Sequence, residues 1–378
     1  MTYDKPKIIT GAVNRVEIAI AAAGVGLIAC AMLARQPWLD RHFLPSWFLP
    51  HHWYVAIESL VRTAMAAVGL VLALVMRRWL ARVIVVSRES FVLSVVGVVL
   101  AFGLSELVLR HIHLRASEWL VADEEPRRRH DARLGWTFEP ARTGHSRIGG
   151  RRVEYAFDRA GYRVRHIDEP VDPQQPAILF IGESVMFGEG LAWEETIPAQ
   201  VGAMTGVQSA NLAVHGFSSD QSYLRLQTEL PHFQHPVAVV SLFMTALFGR
   251  NLDQDRPHLG PGLAWLPAKP SSRVASLAAL LVPYRADATV ERGIAVTREL
   301  LRETVALARA RNATPLVVVP QFGPEDPAER ALRQRILDDT IPSVIVTIDD
   351  AWRLPWDRHP NARAARTIAA AIAERLRR

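Results

Sequence analysis

The chain has 378 residues, with 44 Lys plus Arg against 38 Asp plus Glu and a single cysteine, Cys30. One cysteine excludes a disulfide framework and a cysteine metal cluster. The basic excess is spread over scattered arginines, with no lysine-rich tract and no basic stripe interleaved with aromatics, so no nucleic-acid partner is expected.

Hydrophobicity is uneven, and long apolar runs crowd the first third. Residues 18–34 carry no charge and have about the length that crosses hydrocarbon. Residues 56–76 form a second run, in which Glu58 and Arg62 are spaced i,i+4 and can pair on one helical face. Residues 91–109 form a third, interrupted only by Glu106. The spacing predicts a membrane region over 1–112 with three transmembrane helices at about 18–34, 56–76 and 91–109.

Arginine and lysine in the short loops give the orientation. Lys5, Lys7 and Arg15 precede the first run, and Arg77, Arg78, Arg82 and Arg88 form a basic second loop. The first loop has only Arg35 and Arg41, with Trp38, Trp47, Trp53 and Tyr54 suited to an interfacial aromatic belt. The bias places the N-terminus in the cytoplasm and the C-terminal domain outside it, anchored in the inner (plasma) membrane. Arg110 and Arg115 pull mildly the other way, but long domains translocate largely regardless of such charges. "LIAC", Leu27 to Cys30, is similar to a lipoprotein cleavage box; in an Ala-rich helix chance is the simpler explanation, and the C-terminal domain lies outside either way.

Residues 113–176 form a juncture. "PRRRHDARLGW" is basic, and "VEYAFDRAGYRVR" alternates like a short strand or hairpin. From 177 the pattern becomes βαβα: a strand at 177–181, a helix at 197–204, a strand at 207–212, a helix at 219–230 capped by Ser218 or Ser219, and a strand at 237–243. A Pro/Gly-rich insertion follows at about 251–290. A long helix at 291–311 places Ile294, Leu301, Val305 and Ala308 on one face. Strands at 316–319 and 344–348 and a helix at 362–376 complete residues 177–378. Strands alternating with helices imply an α/β domain with a parallel sheet covered on both faces.

In such sheets the crevice lies beyond the carboxyl ends of the strands. "GES", Gly182 to Ser184, follows the first strand. "NLAVHGFSSDQ" follows the second, "MTALFGRN" the third, and "WDRHPN" the last. A serine on a tight turn and an Asp/His pair two residues apart thus converge on one edge. A histidine base needs a carboxylate to hold its tautomer, and Asp357 is placed to serve His359. Asp349 and Asp350 are nearby alternatives. No phosphate loop is present, since "GEGLAWEE" lacks the lysine and the spacing, and His51 and His52 have no ligand set around them. No cofactor and no metal are expected.

These blocks resemble the GDSL/SGNH hydrolase superfamily. "IGES" is similar to its nucleophile block, with Glu183 where Asp is usual. "NLAVHGFSSDQ" resembles its second block, "DRHPNARAARTIAAAIAERL" its last, and "AFDRAGYRVR" a segment preceding the nucleophile strand in many envelope-anchored members. The resemblance implies a three-layer, flavodoxin-like parallel sheet. It implies Ser184 as nucleophile, His359 as base and then acid, Asp357 orienting His359, and an oxyanion hole from the amides of Ser184 and Gly216. His215, beside Gly216, reads as structural or substrate-facing.

One block departs. The family places an Asn side-chain donor after the third strand, where this chain has Ala246 followed by Leu247. Losing such a donor costs about 10²–10³ in turnover. Thr245 or Asn251 would substitute if the loop folds back. The expected function is a membrane-anchored, extracytoplasmic serine esterase or O-acyltransferase acting on acylated envelope glycans or lipids, with envelope polysaccharide-assembly proteins as partners. The competing expectation is a catalytically degenerate domain serving as a glycan-binding or scaffolding module.

Overall fold

A computed structural model describes residues 5–43, 51–112, 118, 125–148, 150–269, 271–355 and 357–377. Trp47, Arg115 and Trp356 lie outside the described residues. The chain divides into two compact units, one of Met1–Phe43, Leu49–Ile112 and Ser272–Tyr284, the other of the remaining residues.

The first unit is helical: α1 (Lys5–Leu33), α2 (Gln36–His42), α3 (His51–Leu70), α4 (Arg77–Val86) and α5 (Arg88–Leu109). Thr10–Leu33, His52–Val86 and Glu89–Leu109 are each long and apolar enough to cross a membrane. A π-helical stretch, Val71–Met76, joins α3 to α4, so Arg77, Arg78 and Arg82 stand on a continuing helix and not in the loop expected for them. "RRWLARVIVV" has no Gly, Pro or Asn to stop it and begins with strong helix formers. Helices α1 and α3 meet where Gly24 faces Gly69; a Cβ on either would lie 2.5 Å from the other's carbonyl oxygen. Small residues of this kind let apolar helices approach closely. Arg62 Nε donates to the Ala31 carbonyl at 3.0 Å, and Glu58 Oε2 accepts from Gln36 Nε2 at 2.8 Å.

The second unit opens with a hairpin, β1 (Arg128–Asp131) and β2 (Gly135–Phe138), then β3 (Arg142–Ile148), β4 (Arg151–Phe157) and β5 (Arg163–Val164). There follow β6 (Ala177–Ile181), α6 (Ser184–Phe187), α7 (Ile197–Thr205), β7 (Gln208–Asn211), α8 (Ser219–Glu229) and β8 (Pro236–Leu242). The insertion adds a 3-10 turn (Thr245–Leu252) and a small hairpin of β9 (His258–Leu259) and β10 (Trp265–Leu266) to this unit, while its helix α9 (Arg273–Leu281) belongs to the first unit. Then come α10 (Asp287–Ala310), β11 (Thr314–Phe322), α11 (Pro327–Ile336), β12 (Ser343–Ile348) and α12 (Ala362–Arg377).

The main sheet has eight strands in the order β12-β11-β8-β6-β7-β5-β4-β3. β12, β11, β8, β6 and β7 run parallel in the flavodoxin-like order, and β5, β4 and β3 extend the β7 edge antiparallel. The sheet is therefore mixed and mostly parallel. All five residues of β6 are buried, because it is the middle strand and covered on both faces. Ile178 and Phe180 enter a core with Val201 of α7 and Ile368 of α12. Leu179 and Ile181 point the other way, into a core with Leu226 of α8 and Ala308 of α10. That is a three-layer α/β unit, and the carboxyl end of β6 opens at its edge.

Candidate active site

The turn that carries Ser184 is built by backbone requirements. Gly182 has φ +153°, and a Cβ there would lie 2.8 Å from that of Leu242. The carboxylate of Glu183 caps α6, accepting from the Val185 amide at 3.2 Å. Gly188, at φ +86°, ends that single turn in the left-handed region. Ser184 is thereby fixed as the first helical residue, 2% exposed.

Ser184, His359 and Asp357 form one hydrogen-bonded row. Ser184 Oγ lies 2.7 Å from His359 Nε2, and His359 Nδ1 lies 2.5 Å from Asp357 Oδ1. The same carboxylate oxygen also accepts from the His359 backbone amide at 2.8 Å, fixing the turn that carries both residues. The alternative carboxylates are engaged elsewhere: Asp349 caps the Ala351 amide, and Asp350 pairs with Arg353.

Electrostatics favour the imidazolium. Burial pulls the pKa of His359 down, but the Asp357 hydrogen bond and the charges of Asp357, Glu189 and Glu183 outweigh it and raise the pKa above the ordinary value. Burial pushes Asp357 up, yet the hydrogen bonds and charge of His359 hold it below the usual carboxylate value. Ser184 Oγ is also 2.5 Å from Glu183 Oε2. The hydroxyl has one proton to give. When His359 is protonated, Nε2–H donates to the serine and the serine donates to Glu183. When His359 is neutral, the serine proton can turn to Nε2.

A second histidine–carboxylate pair adjoins the row. His215 Nδ1 is 2.8 Å from Glu189 Oε2, and its ring centroid is 6.2 Å from that of His359. Glu189 is buried, which would raise its pKa; the charge and hydrogen bond of His215, with the charges of His359 and Arg163, keep it lowered. Gly216 follows at φ +78°, with Trp136 3.3 Å from where a Cβ would stand and the Trp136 indole N–H donating to the His215 carbonyl at 3.0 Å. The indole thus sets the peptide that presents the Gly216 amide.

Arg163 supports the segment that follows Ser184. Fully buried, it donates from Nη1 to the carbonyls of Phe187 (2.9 Å) and Gly188 (2.7 Å) and from Nη2 to that of Leu191 (2.6 Å), and it lies over the Tyr155 and Phe187 rings. Burial lowers its pKa to about 10, so it remains charged at neutral pH. Asn211 Nδ2 adds a 3.3 Å bond to the Phe187 carbonyl.

The turn after β8 is the departure. Ala246 and Leu247 sit on the 3-10 turn and carry no donor side chain. Asn251 is no substitute, for it is committed elsewhere: Oδ1 accepts from the Ser219 amide, and Nδ2 donates to Ser219 Oγ and Thr297 Oγ1. Thr245 Oγ1 and Arg250 Nη1 are buried without a hydrogen-bond partner among the described residues. Arg250 Nη1 stands 3.7 Å from Glu183 Oε2, the oxygen that also meets Ser184. Reading the sequence missed Arg163, Glu189 and Arg250. A charged residue in an otherwise apolar strand–turn block was the one available signal, and it names no partner.

No protein-family model and no curated protein sequence matches the chain. Among solved structures, it is similar to a G-D-S-L family protein from Desulfitobacterium hafniense DCB-2 (12% identity, TM-score 0.34, covering 52% of this chain and 98% of that one). It is similar to the psychrotrophic esterase EstA from Pseudoalteromonas sp. (14% identity, TM-score 0.32, covering 52% and 94%). It is also similar to a family two carbohydrate esterase from Clostridium thermocellum, solved with cellohexaose (11% identity, TM-score 0.35, covering 58% and 67%).

Proposed function

We propose that the chain is a membrane-anchored serine hydrolase of the GDSL/SGNH type, acting outside the cytoplasm on acyl esters of envelope glycans or lipids. The observation that carries this is the Asp357–His359–Ser184 row at the carboxyl edge of a parallel sheet. Support for the location comes from basic residues before the first apolar helix (Lys5, Lys7, Arg15) and at or just past the end of the second (Arg77, Arg78, Arg82, Arg88), and the substrate class comes from the family resemblance.

Neutral His359 takes the proton of Ser184 as Oγ attacks the acyl carbonyl. The oxyanion is held by the amides of Ser184 and Gly216. Arg250, on the turn where the family places its Asn, supplies the third donor. Protonated His359 then gives its proton to the leaving alkoxide, and an acyl-Ser184 ester remains. Water or a sugar hydroxyl next loses a proton to His359 and attacks; collapse expels Ser184 Oγ, which recovers the proton. Hydrolysis and O-acyl transfer differ only in that second nucleophile.

The test is fluorophosphonate labelling of the full-length protein in detergent, with Ser184→Ala and His359→Ala as controls. Labelling that needs both residues supports an activated serine. Absence of labelling in folded wild type overturns the reading in favour of a silent glycan-binding module, which the donorless Ala246 favours.

A further inference from the structure

The insertion between β10 and α10 contains a segment that packs with the helices of the first unit. We infer that α9 and the residues after it form an interfacial membrane element, lying in one leaflet beside the three apolar spans. This rests on those spans crossing a bilayer, not on the chemistry of Ser184.

Both ends of α9 are pinned within that unit. At its start, Glu106, in the last turn of α5, accepts from two amides: Oε1 from Arg273 at 2.9 Å and Oε2 from Val274 at 3.0 Å. Ser272 Oγ takes the Ala275 amide at 3.1 Å. Three of the amides a helix start leaves unpaired are thus satisfied, two of them by a carboxylate from another helix. Past its end, the Tyr284 ring stacks on His42, with centroids 5.3 Å apart and planes 7° apart, and stands edge-on to Phe43 at 5.8 Å. Trp38 is 6.2 Å away.

These anchors fix the direction. Glu106 is at the end of the third span, and Trp38, His42 and Phe43 follow the first. With three spans, the ends of the first and third emerge on the same side. A nine-residue helix is about 13 Å long, far short of the roughly 30 Å of hydrocarbon. The helix therefore runs along a leaflet and does not cross it. From Val274 to Tyr284, "VASLAALLVPY" has no charge, while Arg273 and Arg285 flank it. Leu281 (72%), Val282 (59%) and Tyr284 (47%) are exposed. An apolar face with an aromatic residue at the same level as a second aromatic cluster is the pattern of an interfacial helix. Lipid is the occupant because the neighbours of α9 are the span ends themselves.

The test uses the full-length protein with Cys30→Ala, carrying Leu281→Cys labelled with an environment-sensitive fluorophore, in lipid nanodiscs. Leu104→Cys on α5 and Val237→Cys on β8 serve as lipid and water references; Ala278→Cys on α9 repeats the test should Leu281→Cys fail to fold. The expected result is blue-shifted emission, quenched more by a nitroxide near the lipid headgroup than by one at the chain end, and protected from iodide. Iodide quenching equal to Val237→Cys overturns the inference. So does stronger quenching by the chain-end nitroxide, which would mean a buried span. Protection from both quenchers would mean a protein occupant and also overturns it.

Discussion

Replacing Arg250 with glutamine separates two jobs that one guanidinium can do. At 3.7 Å from Glu183, a unit charge pair at an effective dielectric of about 20 attracts by about 4.5 kcal/mol, an upper figure because desolvation offsets much of it. If Arg250 only balances Glu183, its loss acts through Ser184 alone, and removing the Glu183 charge as well should undo the damage. If it holds the oxyanion, its loss removes a donor needed only in the transition state. Such donors are worth about 10²–10³ in turnover, or ~3–4 kcal/mol. We expect Arg250→Gln to lower kcat on p-nitrophenyl acetate about 100-fold with KM little changed, as for an interaction made in the transition state. Glu183→Gln/Arg250→Gln should stay slow. The assay is steady-state hydrolysis by the full-length protein in detergent, with thermal midpoints read alongside from tryptophan fluorescence. A double variant restored to the rate of Glu183→Gln alone would refute the oxyanion role. Near-wild-type kcat in Arg250→Gln would refute it too.

Four further outcomes follow from the same geometry. Ala246→Asn should add little to the wild type but recover much of the rate lost in Arg250→Gln, measured as kcat in the four-membered variant set. His359 works as a base only when neutral, and its pKa is raised, so kcat/KM should climb with pH through an inflection above the ordinary histidine value. Glu189→Gln removes a charge that favours the imidazolium, so that inflection should move to lower pH; an unmoved or rising inflection counts against the coupling. Arg163→Met removes three hydrogen bonds to backbone carbonyls. Two of those carbonyls keep another donor, Asn211 Nδ2 and the Leu191 amide, while that of Leu191 keeps none among the described residues. Relief from burying a charge offsets part of the loss, leaving about 2–4 kcal/mol. The thermal midpoint should fall by roughly 5–15 °C and fluorophosphonate labelling should slow; an unchanged midpoint would mean the loop is held by other contacts.

What the sequence made legible depended on whether local chemistry or distant partners set each feature. β6 could be read because five apolar residues without alternation mean burial on both faces, and α10 because its apolar residues recur at helical spacing. Asp357 and His359 were readable as a pair because both sit on one turn. β3 was not: "RTGHSRI" is a half-exposed, polar edge whose strand character comes from pairing with β4. α11 hid likewise, since only Leu332 and Ile336 of "PAERALRQRI" are buried. Arg163 and Glu189 were opaque for a deeper reason. A charge inside the fold is stable only with partners, and theirs lie more than twenty residues away in the chain, at Phe187 to Leu191 and at His215. Arg250 belongs with them. Alignment of blocks finds a missing Asn at position 246, but only the folded turn brings a guanidinium four residues later to the carboxylate beside Ser184. A gap in a motif is therefore a statement about one position, whereas a donor for an oxyanion is a statement about a point in space that any element reaching the sheet edge can supply.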